Sequence, residues 1–233
     1  MANLEAQLRA LRHLVITPIA ITFFCGSPAW AQESTEPAAF VPPDDLGLEG
    51  NRFAPLTWDE MTDAQKLMVT HLLEGPRNSL GGPFNVMLRS PEMGDVAQQL
   101  GAFSRFNTMP GRLREMAIIM TARFWTSHFE WYAHKNAALR EGLDSAIVDS
   151  IAIGEIPANM DADESVVYSL VHELLNDRSV SDTTFRQAVA ALGERGVVDV
   201  VGIVGYYGMV SLFLNLDEYP LPDGVGIELS PLP

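Results

Sequence analysis

The fold is decided by residues 110–143, "PGRLREMAIIMTARFWTSHFEWYAHKNAALREGL". In the first half of this stretch, the regularly spaced apolar residues are Leu113, Ala117, Met120 and Phe124. Intervals of three and four residues bring side chains to one face of a helix, so this half predicts an amphipathic helix. The second half, from His128, carries two histidines, a glutamate and several aromatic residues among alanines. It predicts a second helix, in which the histidines and the glutamate are candidates for a functional site.

Helical patterns also fill the chain on both sides of this stretch. A capping box, "TDAQ" from Thr62, begins a helix that ends at Gly75. Residues 81–90 are predicted to be a loop, and the Ser90-Pro91 pair then provides an N-cap and a first-turn proline for a helix to about residue 107. Further helices are predicted at 145–153, 164–177, 181–196 and 197–216. Because the sequence has no alternating strand pattern, internal repeat or glycine-rich phosphate loop, it predicts an all-α, single compact domain over residues 57–220.

The last helical segment, residues 197–216, is long and apolar enough to raise the question of a membrane span. Asp199, three interior glycines and acidic flanking residues argue against a span. Gly202, Gly205 and Gly208 lie on one helical face, where bare backbone lets another helix approach closely. We therefore predict a helix that is buried on most sides, at an oligomer interface.

The N-terminus has the pattern of a secretory signal peptide over residues 1–31. Basic residues precede the apolar run "LVITPIAITFFCG", and "AWA" before Gln32 is a small-residue cleavage site. A membrane anchor is the weaker alternative, because the apolar run is short for a bilayer and contains Pro18. Residues 32–56 are rich in proline and acidic residues and predict an extended arm, while residues 221–233 predict a C-terminal tail. The protein is thus predicted to be periplasmic or secreted.

The overall charge and the single cysteine exclude several classes of function. A net charge of −15 over 233 residues argues against nucleic acid and anionic membranes as partners, because both require clustered Lys and Arg. Removal of residues 1–31 would make the charge one unit more negative and would take away Cys25, the only cysteine. The mature chain would then have no disulfide, no thiolate nucleophile and no cysteine metal ligand.

One face of the helix after Thr126 carries the candidate chemistry. The residues on that face are Ser127, Glu130, Trp131 and His134. Glu130 and His134 are one turn apart, and a carboxylate beside an imidazole raises the imidazole pKa and suits it to general acid or base catalysis. His128 points about 200° away from Glu130, so the three groups cannot bind one metal ion from a straight helix, and no metal is predicted. Two alternatives stay open, an exposed ion pair and an ordinary packed helix.

Three blocks of sequence together resemble the carboxymuconolactone decarboxylase family, within the wider alkylhydroperoxidase-D superfamily. The blocks are "GPFNVMLRSPEM" from Gly82, "MPGRLREMAIIMTARFW" from Met109 and "HFEWYAHKNAALREGL" from His128. The resemblance covers roughly residues 56–220. It implies an all-α homo-oligomer, a trimer or a hexamer, with a pocket between helices that joins a glutamate and a histidine.

The same resemblance separates two branches of the superfamily. Its redox members carry a glutamate, then a Cys-x-x-Cys pair, then a histidine four residues after the second cysteine. On that spacing Glu115 and His134 match the glutamate and the histidine, whereas Ser127 and Glu130 stand where the cysteines would be. A dithiol peroxidase is therefore not expected, and the resemblance implies the decarboxylase branch, which uses no cofactor.

Decarboxylation or isomerisation of a lactone needs proton transfer at carbon and stabilisation of charge as it moves into a carbonyl. We expect His134 to transfer the proton, Glu130 to orient it, and Glu115 to be a second acid or base if burial raises its pKa. The alternative for Glu115 is an ion pair with Arg112 or Arg114. The predicted substrate-binding residues are Ser127, Asn85, Arg105, Trp131 and Tyr206. Asn85 and Arg105 are equally compatible with fixing a loop or pairing with a surface carboxylate, and the aromatic residues with packing in the core.

These observations predict an exported lyase or isomerase that acts without a cofactor on a small oxygenated substrate, a lactone or an aromatic-derived molecule. The alternative is a non-catalytic oligomer with the same fold that binds a small molecule or serves in assembly. A perturbed pKa at His134 or Glu115 beside an enclosed pocket would favour the enzyme. Ordinary ion pairs at a closed site would favour the binding protein.

Overall fold

The computed structural model describes residues 40–231. Residues 1–39, with the predicted signal peptide and the start of the predicted arm, and residues 232–233 lie outside the described part. Residues 40–231 contain eight α-helices and no β-strand, which confirms the all-α fold class. The helices are α1 Asp63–Glu74, α2 Phe84–Met87, α3 Pro91–Phe106, α4 Gly111–Phe124, α5 His128–Arg140, α6 Ser145–Ile153, α7 Ala162–His172 and α8 Asp182–Asp217. A 3₁₀ turn at Trp58–Glu60 precedes α1, and a π-helical turn at Glu173–Asp177 follows α7.

Local capping interactions fix where several helices begin. The Thr62 hydroxyl accepts a hydrogen bond from the backbone N–H of Gln65, and the Gln65 side chain accepts one from the backbone N–H of Thr62, which confirms the predicted capping box. The Asp144 side chain caps α6. Pro91 lies in the first turn of α3 as predicted, but the Ser90 hydroxyl makes no capping bond. The predicted loop over residues 81–90 contains the short helix α2.

Helix α4 is the centre of the fold. All of its residues from Leu113 to Arg123 are buried except the partly buried Arg114, and it packs against α5, α6, α7 and α8. The predicted helix is confirmed, and its burial extends beyond the apolar row because four neighbouring helices pack against it. Phe124, at the end of the predicted face, is 40% exposed.

Helix α8 is 36 residues long and joins two segments that were predicted as separate helices. Its backbone breaks at Gly193, where φ is 70° and ψ is 166°, a conformation that glycine adopts without steric cost. By length and composition α8 is able to cross a membrane, but 56% of its apolar window is buried inside the protein. Burial in the core accounts for much of this apolar character.

The predicted close approach of a helix to the glycine face of α8 is not found at Gly202 or Gly205 among the described residues, since both have open space around them. Gly208 does make a close contact, because a Cβ there would lie 3.3 Å from Nε1 of Trp125. A closer approach between α3 and α8 is at Gly101 of α3, where the Tyr206 ring of α8 occupies the space that a Cβ would need. Gly101 therefore allows Tyr206 to lie between α3 and α8.

The segments outside the helices pack onto them. Backbone N–H groups of residues 51–53 donate to Oδ1 of the buried Asp217, at 3.3, 2.8 and 2.8 Å, and so fasten the chain before α1 to the end of α8. At the other end of the chain, the Glu228 carboxylate accepts a hydrogen bond from Nε1 of Trp131 and pairs with Lys135. These contacts bring the predicted arm and tail against the chain's own helices.

Candidate active site

Two carboxylates and one imidazole meet between α4 and α5. Nδ1 of His134 lies 2.5 Å from Oε2 of Glu115, and Nε2 lies 3.1 Å from Oε1 of Glu130. All three residues are buried, at 4–5% exposure. The contact with Glu115 is a hydrogen bond, whereas Oε1 of Glu130 has no well-directed donor among the described residues. Glu130 is thus held close to His134 by charge and keeps an acceptor site open.

A tight turn between α4 and α5 creates this geometry. Thr126 has a positive φ of 47°, and the N–H groups of Thr126 and Ser127 donate to the carbonyls of Arg123 and Ala122, both at 2.9 Å. The chain therefore reverses within a few residues. As a result Glu115, in the first half of α4, lies opposite His134, in the second turn of α5.

His134 is a cation at neutral pH. Burial alone would lower its pKa, but the charge and close contact of Glu130, the hydrogen bond with Glu115 and the charge of Glu115 outweigh burial and raise the pKa to about 9. A protonated imidazole presents N–H donors and no free lone pair. The site therefore contains a positively charged proton donor between two carboxylates.

The pKa of Glu115 is lowered, contrary to the condition set for its role as an acid or base. Burial would raise it, but the hydrogen bond and charge of His134 and the charges of Arg114 and Arg105 outweigh that effect. Nε of Arg114 lies 3.4 Å from Oε1 of Glu115, while Arg112 pairs with acidic residues of α7 and its N-cap. Glu115 therefore stays ionised. It accepts the hydrogen bond that orients His134, a role that was predicted for Glu130.

A cleft of about 230 Å³ opens beside the cluster. Its lining includes Arg77, Arg105, Glu130, His134, Tyr206 and Tyr207, together with the loop 79–83. Four buried polar atoms of these residues have no hydrogen-bond partner within residues 40–231: Nε of Arg77, Oε1 of Glu130 and the hydroxyls of both tyrosines. Buried polar groups are normally paired, so several unpaired groups along one cleft indicate a place where a polar ligand binds.

The two tyrosines place hydroxyl groups next to the imidazole. The Tyr207 ring lies edge-on to His134 with centroids 4.9 Å apart, and the Tyr206 ring lies edge-on to Tyr207 at 5.1 Å. Burial raises the pKa of Tyr206 to about 12 and raises that of Tyr207 further. Both hydroxyls keep their protons at neutral pH and are available as hydrogen-bond donors.

Two arginines give the cleft a cationic side. Within the described part of the chain neither Arg77 nor Arg105 forms an ion pair, and the Arg77 guanidinium lies 4.7 Å from the centre of the Phe84 ring. Arg105 is close enough to lower the pKa of Glu115, Tyr206 and Tyr207. Unpaired guanidinium groups in an otherwise acidic protein favour a ligand that carries a carboxylate.

Three predicted substrate-binding residues do not line this cleft. Ser127 is fully buried at the start of α5 and lines a separate cleft with Asn215 and Tyr219. Asn85 is fully buried and donates to the carbonyl of Phe53 at 2.7 Å, which is the alternative role of fixing a loop. Trp131 belongs to the core and donates to Glu228. The three residues thus lie outside the cleft beside His134, and their role in substrate binding stays a prediction.

Arg105 and Tyr206, which were predicted to bind substrate, line the cleft, and so do Arg77 and Tyr207, which were not. Arg77 lies in the loop after α1, and its only signal in the sequence is a cation within the proline- and glycine-rich stretch "EGPRNSLGGP". Nothing near Arg77 in the sequence indicates which cleft it reaches. In the sequence, Tyr206 and Tyr207 interrupt an otherwise aliphatic helix, which predicts that at least one of them points into a cavity.

The described residues include no set of side chains that is arranged to bind a metal ion. Within residues 40–231 no group of three or more His, Cys, Asp or Glu side chains is arranged to hold one. His134 has both ring nitrogens directed at carboxylates, and metal binding requires a neutral imidazole. The groups that line this site are able to transfer protons and to donate or accept hydrogen bonds.

Fold and site together define an all-helical protein with a buried Glu115, His134 and Glu130 cluster beside a cationic cleft. No protein-family model matches the chain, and a comparison with curated proteins finds no match. The assignment of a function therefore depends on the chemistry of the cleft.

Proposed function

We propose that this protein is an exported acid–base enzyme, a lyase or isomerase of the carboxymuconolactone decarboxylase type, which uses no cofactor. Its substrate is a small oxygenated molecule with a carboxylate, a carboxylated lactone or an aromatic-derived acid. The observation that carries the proposal is the buried cluster: Glu115 accepts a hydrogen bond from Nδ1 of His134, and Oε1 of Glu130 and both tyrosine hydroxyls lie in the same cleft without a hydrogen-bond partner among residues 40–231.

Each group has a role in a decarboxylation at this site. The bond between carbon and carboxylate breaks, CO₂ leaves, and the electron pair moves into the lactone carbonyl to give an enolate. The Tyr206 and Tyr207 hydroxyls donate hydrogen bonds to the enolate oxygen, and Nε2 of His134 donates a proton to carbon. Glu115 keeps the imidazole oriented throughout.

An isomerisation would use the same groups in a different order. The ionised Glu130 removes a proton from one carbon, the electron pair moves through the carbonyl, and His134 or the newly protonated Glu130 returns a proton at another carbon. No oxidant, reductant or metal is needed in either reaction. In the isomerisation the substrate keeps its carboxylate. The two arginines would bind that carboxylate, so that the reacting carbon faces the His134 and Glu130 pair.

The same proposal includes self-association into a homo-oligomer. Helix α3 presents an exposed apolar row, Met93, Val96, Leu100 and Phe103, at 39–68% exposure. These side chains recur at three- and four-residue intervals and therefore form one continuous face. Helix α8, which packs on α3, adds exposed valines and leucines. Contiguous apolar surface of this kind favours a second copy of the chain as its partner.

The competing function is a binding protein without catalysis. It is favoured by one observation, that the two carboxylates and the imidazole neutralise one another within the protein. In that case the triad would be structural, and the cleft would bind a carboxylate without converting it.

A mass-spectrometric screen of the purified full chain against carboxylated lactones and aromatic acids tests the proposal. The parent, His134→Ala and His71→Ala are compared, and His71 is the matched control because its imidazole pairs with Asp95 outside the cleft. We expect conversion by the parent and the His71 variant and at least a hundredfold loss in the His134 variant. Binding without conversion by any of the three would instead support the binding protein.

A further inference from the structure

A buried arginine in the last turn of α4, Arg123, takes no part in the proposed reaction. Arg123 is 4% exposed. Its Nη1 donates to Oγ1 of Thr126 at 3.3 Å and its Nη2 to the carbonyl of Ser230 at 2.7 Å. A guanidinium has five N–H donors, and Nε of Arg123 has no partner within residues 40–231. No carboxylate among those residues forms an ion pair with it.

A buried charge without a counter-ion is energetically unfavourable, and Arg123 has no counter-ion among residues 40–231. Burying an isolated ion is unfavourable because the ion loses its hydration, and buried arginines are almost always paired. Desolvation lowers the pKa of Arg123, but a guanidinium remains protonated in proteins. The two neutral oxygen acceptors that it contacts leave its charge uncompensated. An anion would supply what the described residues do not.

Arg123 lines a cleft of about 100 Å³ whose other walls are mainly apolar. Met120, Ile151 and Leu175 provide aliphatic surface, and Tyr168, whose ring stacks on His172 at 5.7 Å, closes one side. Leu175 belongs to the π-helical turn Glu173–Asp177, and π-helical turns inside helical proteins occur frequently at functional sites. An arginine, an apolar wall and an irregular turn thus meet in one place.

We propose that this cleft, the Arg123 cleft, binds a short-chain aliphatic carboxylate. The carboxylate pairs with the free N–H groups of Arg123, and the alkyl chain lies against Met120, Ile151 and Leu175. A cavity of about 150 Å³ holds benzene, so about 100 Å³ suits a chain of roughly four carbons. Exposed Glu155 at the rim of the cleft disfavours a second carboxylate on the ligand. The site is separate from the His134 cleft and does not depend on the proposed reaction.

Butyrate and its neutral isostere butyramide test this proposal. Each is titrated into the ¹⁵N-labelled full chain at constant ionic strength, and the side-chain Nε–H signal of Arg123 is followed by NMR. We expect a saturable shift with butyrate and none with butyramide. Arg123→Gln identifies the signal by its loss, and Leu175→Phe fills the cleft while keeping the arginine, so it should weaken butyrate binding about tenfold or more.

Arg105→Gln, in the His134 cleft, separates the two sites. Its butyrate titration should match that of the parent. The proposal is overturned if the Arg123 signal does not saturate, if butyramide shifts it equally, if Leu175→Phe binds as the parent does, or if Arg105→Gln abolishes the shift. None of these results bears on conversion at His134.

Discussion

At the scale of single residues, the surroundings of His134 come from four helices. Glu115 approaches from α4, Glu130 from α5 itself and the Tyr207 ring from α8, while Arg105 of α3 and Arg114 of α4 act on Glu115. The spacing of Glu130 and His134 was enough to predict that they are neighbours. It did not predict that both are buried or that Glu115 makes the shorter contact, because those facts depend on how α4 and α5 pack.

Glu130→Gln should lower the pKa of His134. The charge of Glu130 is the largest of the effects that raise this pKa, so its removal should lower the value by about one unit or more. A pH titration of the His134 ring nitrogens by NMR measures the change. Glu141→Gln, an exposed carboxylate just after α5, is the matched control and should leave the titration unchanged. Equal titration curves for the Glu130 variant and the parent would contradict the assigned geometry.

At the scale of elements, capping residues and apolar spacing were enough to locate most helices. How deeply each helix is buried could not be predicted in this way. The sequence pattern shows neither the break at Gly193 nor the π-helical turn after α7, and the burial of residues 113–123 of α4, apart from Arg114, results from its packing against four other helices. Apolar residues at intervals of three and four identify one buried face of a helix. They do not show that a helix such as α4 is covered by neighbours on several faces. The pairing of Gly101 with Tyr206 likewise joins residues far apart in the chain.

Gly101→Ala should destabilise the protein by about 1–3 kcal/mol and displace Tyr206 from the cleft, because the new Cβ would overlap the tyrosine ring. Chemical denaturation measures the loss. Combination with Tyr206→Leu removes the overlapping ring and should cost less than the sum of the two single changes. Additive costs would show that the two side chains do not interact.

Charge placed on the apolar face of α3 should dissociate the proposed homo-oligomer. Val96→Glu combined with Phe103→Glu puts two carboxylates where the proposed interface would bury them, at 68% and 48% exposure in the single chain. Analytical ultracentrifugation should show a smaller species for this variant than for the parent. Gln187→Glu, an exposed position in α8, controls for added charge. An unchanged mass for the double variant would place the interface elsewhere.

At the scale of the whole molecule, the sequence identified an all-α fold and correctly placed most helices. It did not predict how residues 77 and 105 reach one cleft with residues 206 and 207, because that arrangement requires the tertiary fold. The buried site also links protonation to the stability of the entire domain. His134 has a folded-state pKa of about 9 against an ordinary value of 6.5.

Stability should therefore depend on pH above neutrality. The stabilisation from His134 is fully present below about pH 6.5 and is lost as the pH rises through about 9, which amounts to a few kcal/mol. The lowered pKa of Glu115 gives stabilisation that is present above its ordinary value of 4.5 and is lost at more acidic pH. Thermal melting from pH 6 to 10 should show a falling Tm for the parent and for His71→Ala, and a flatter profile for His134→Gln. Parallel profiles for all three would contradict the assigned charge.

The identity of the mature N-terminus tests export, which the signal pattern predicts. Mass spectrometry of the protein from its natural compartment should find a chain that begins at Gln32, with residues 1–31 and Cys25 removed. A chain that retains residues 1–31 would contradict the prediction.

The central claim is that His134 delivers a proton to substrate carbon. The most direct measurement is conversion of carboxylated lactones in D₂O, with the product analysed by NMR, for the parent, His134→Ala and His71→Ala. The account predicts that the parent and the His71 variant release CO₂ and place deuterium on the carbon that carried the carboxylate, and that the His134 variant does so at least a hundredfold more slowly. Equal conversion and labelling by the His134 variant, or no conversion of any carboxylated lactone by the parent, would contradict it.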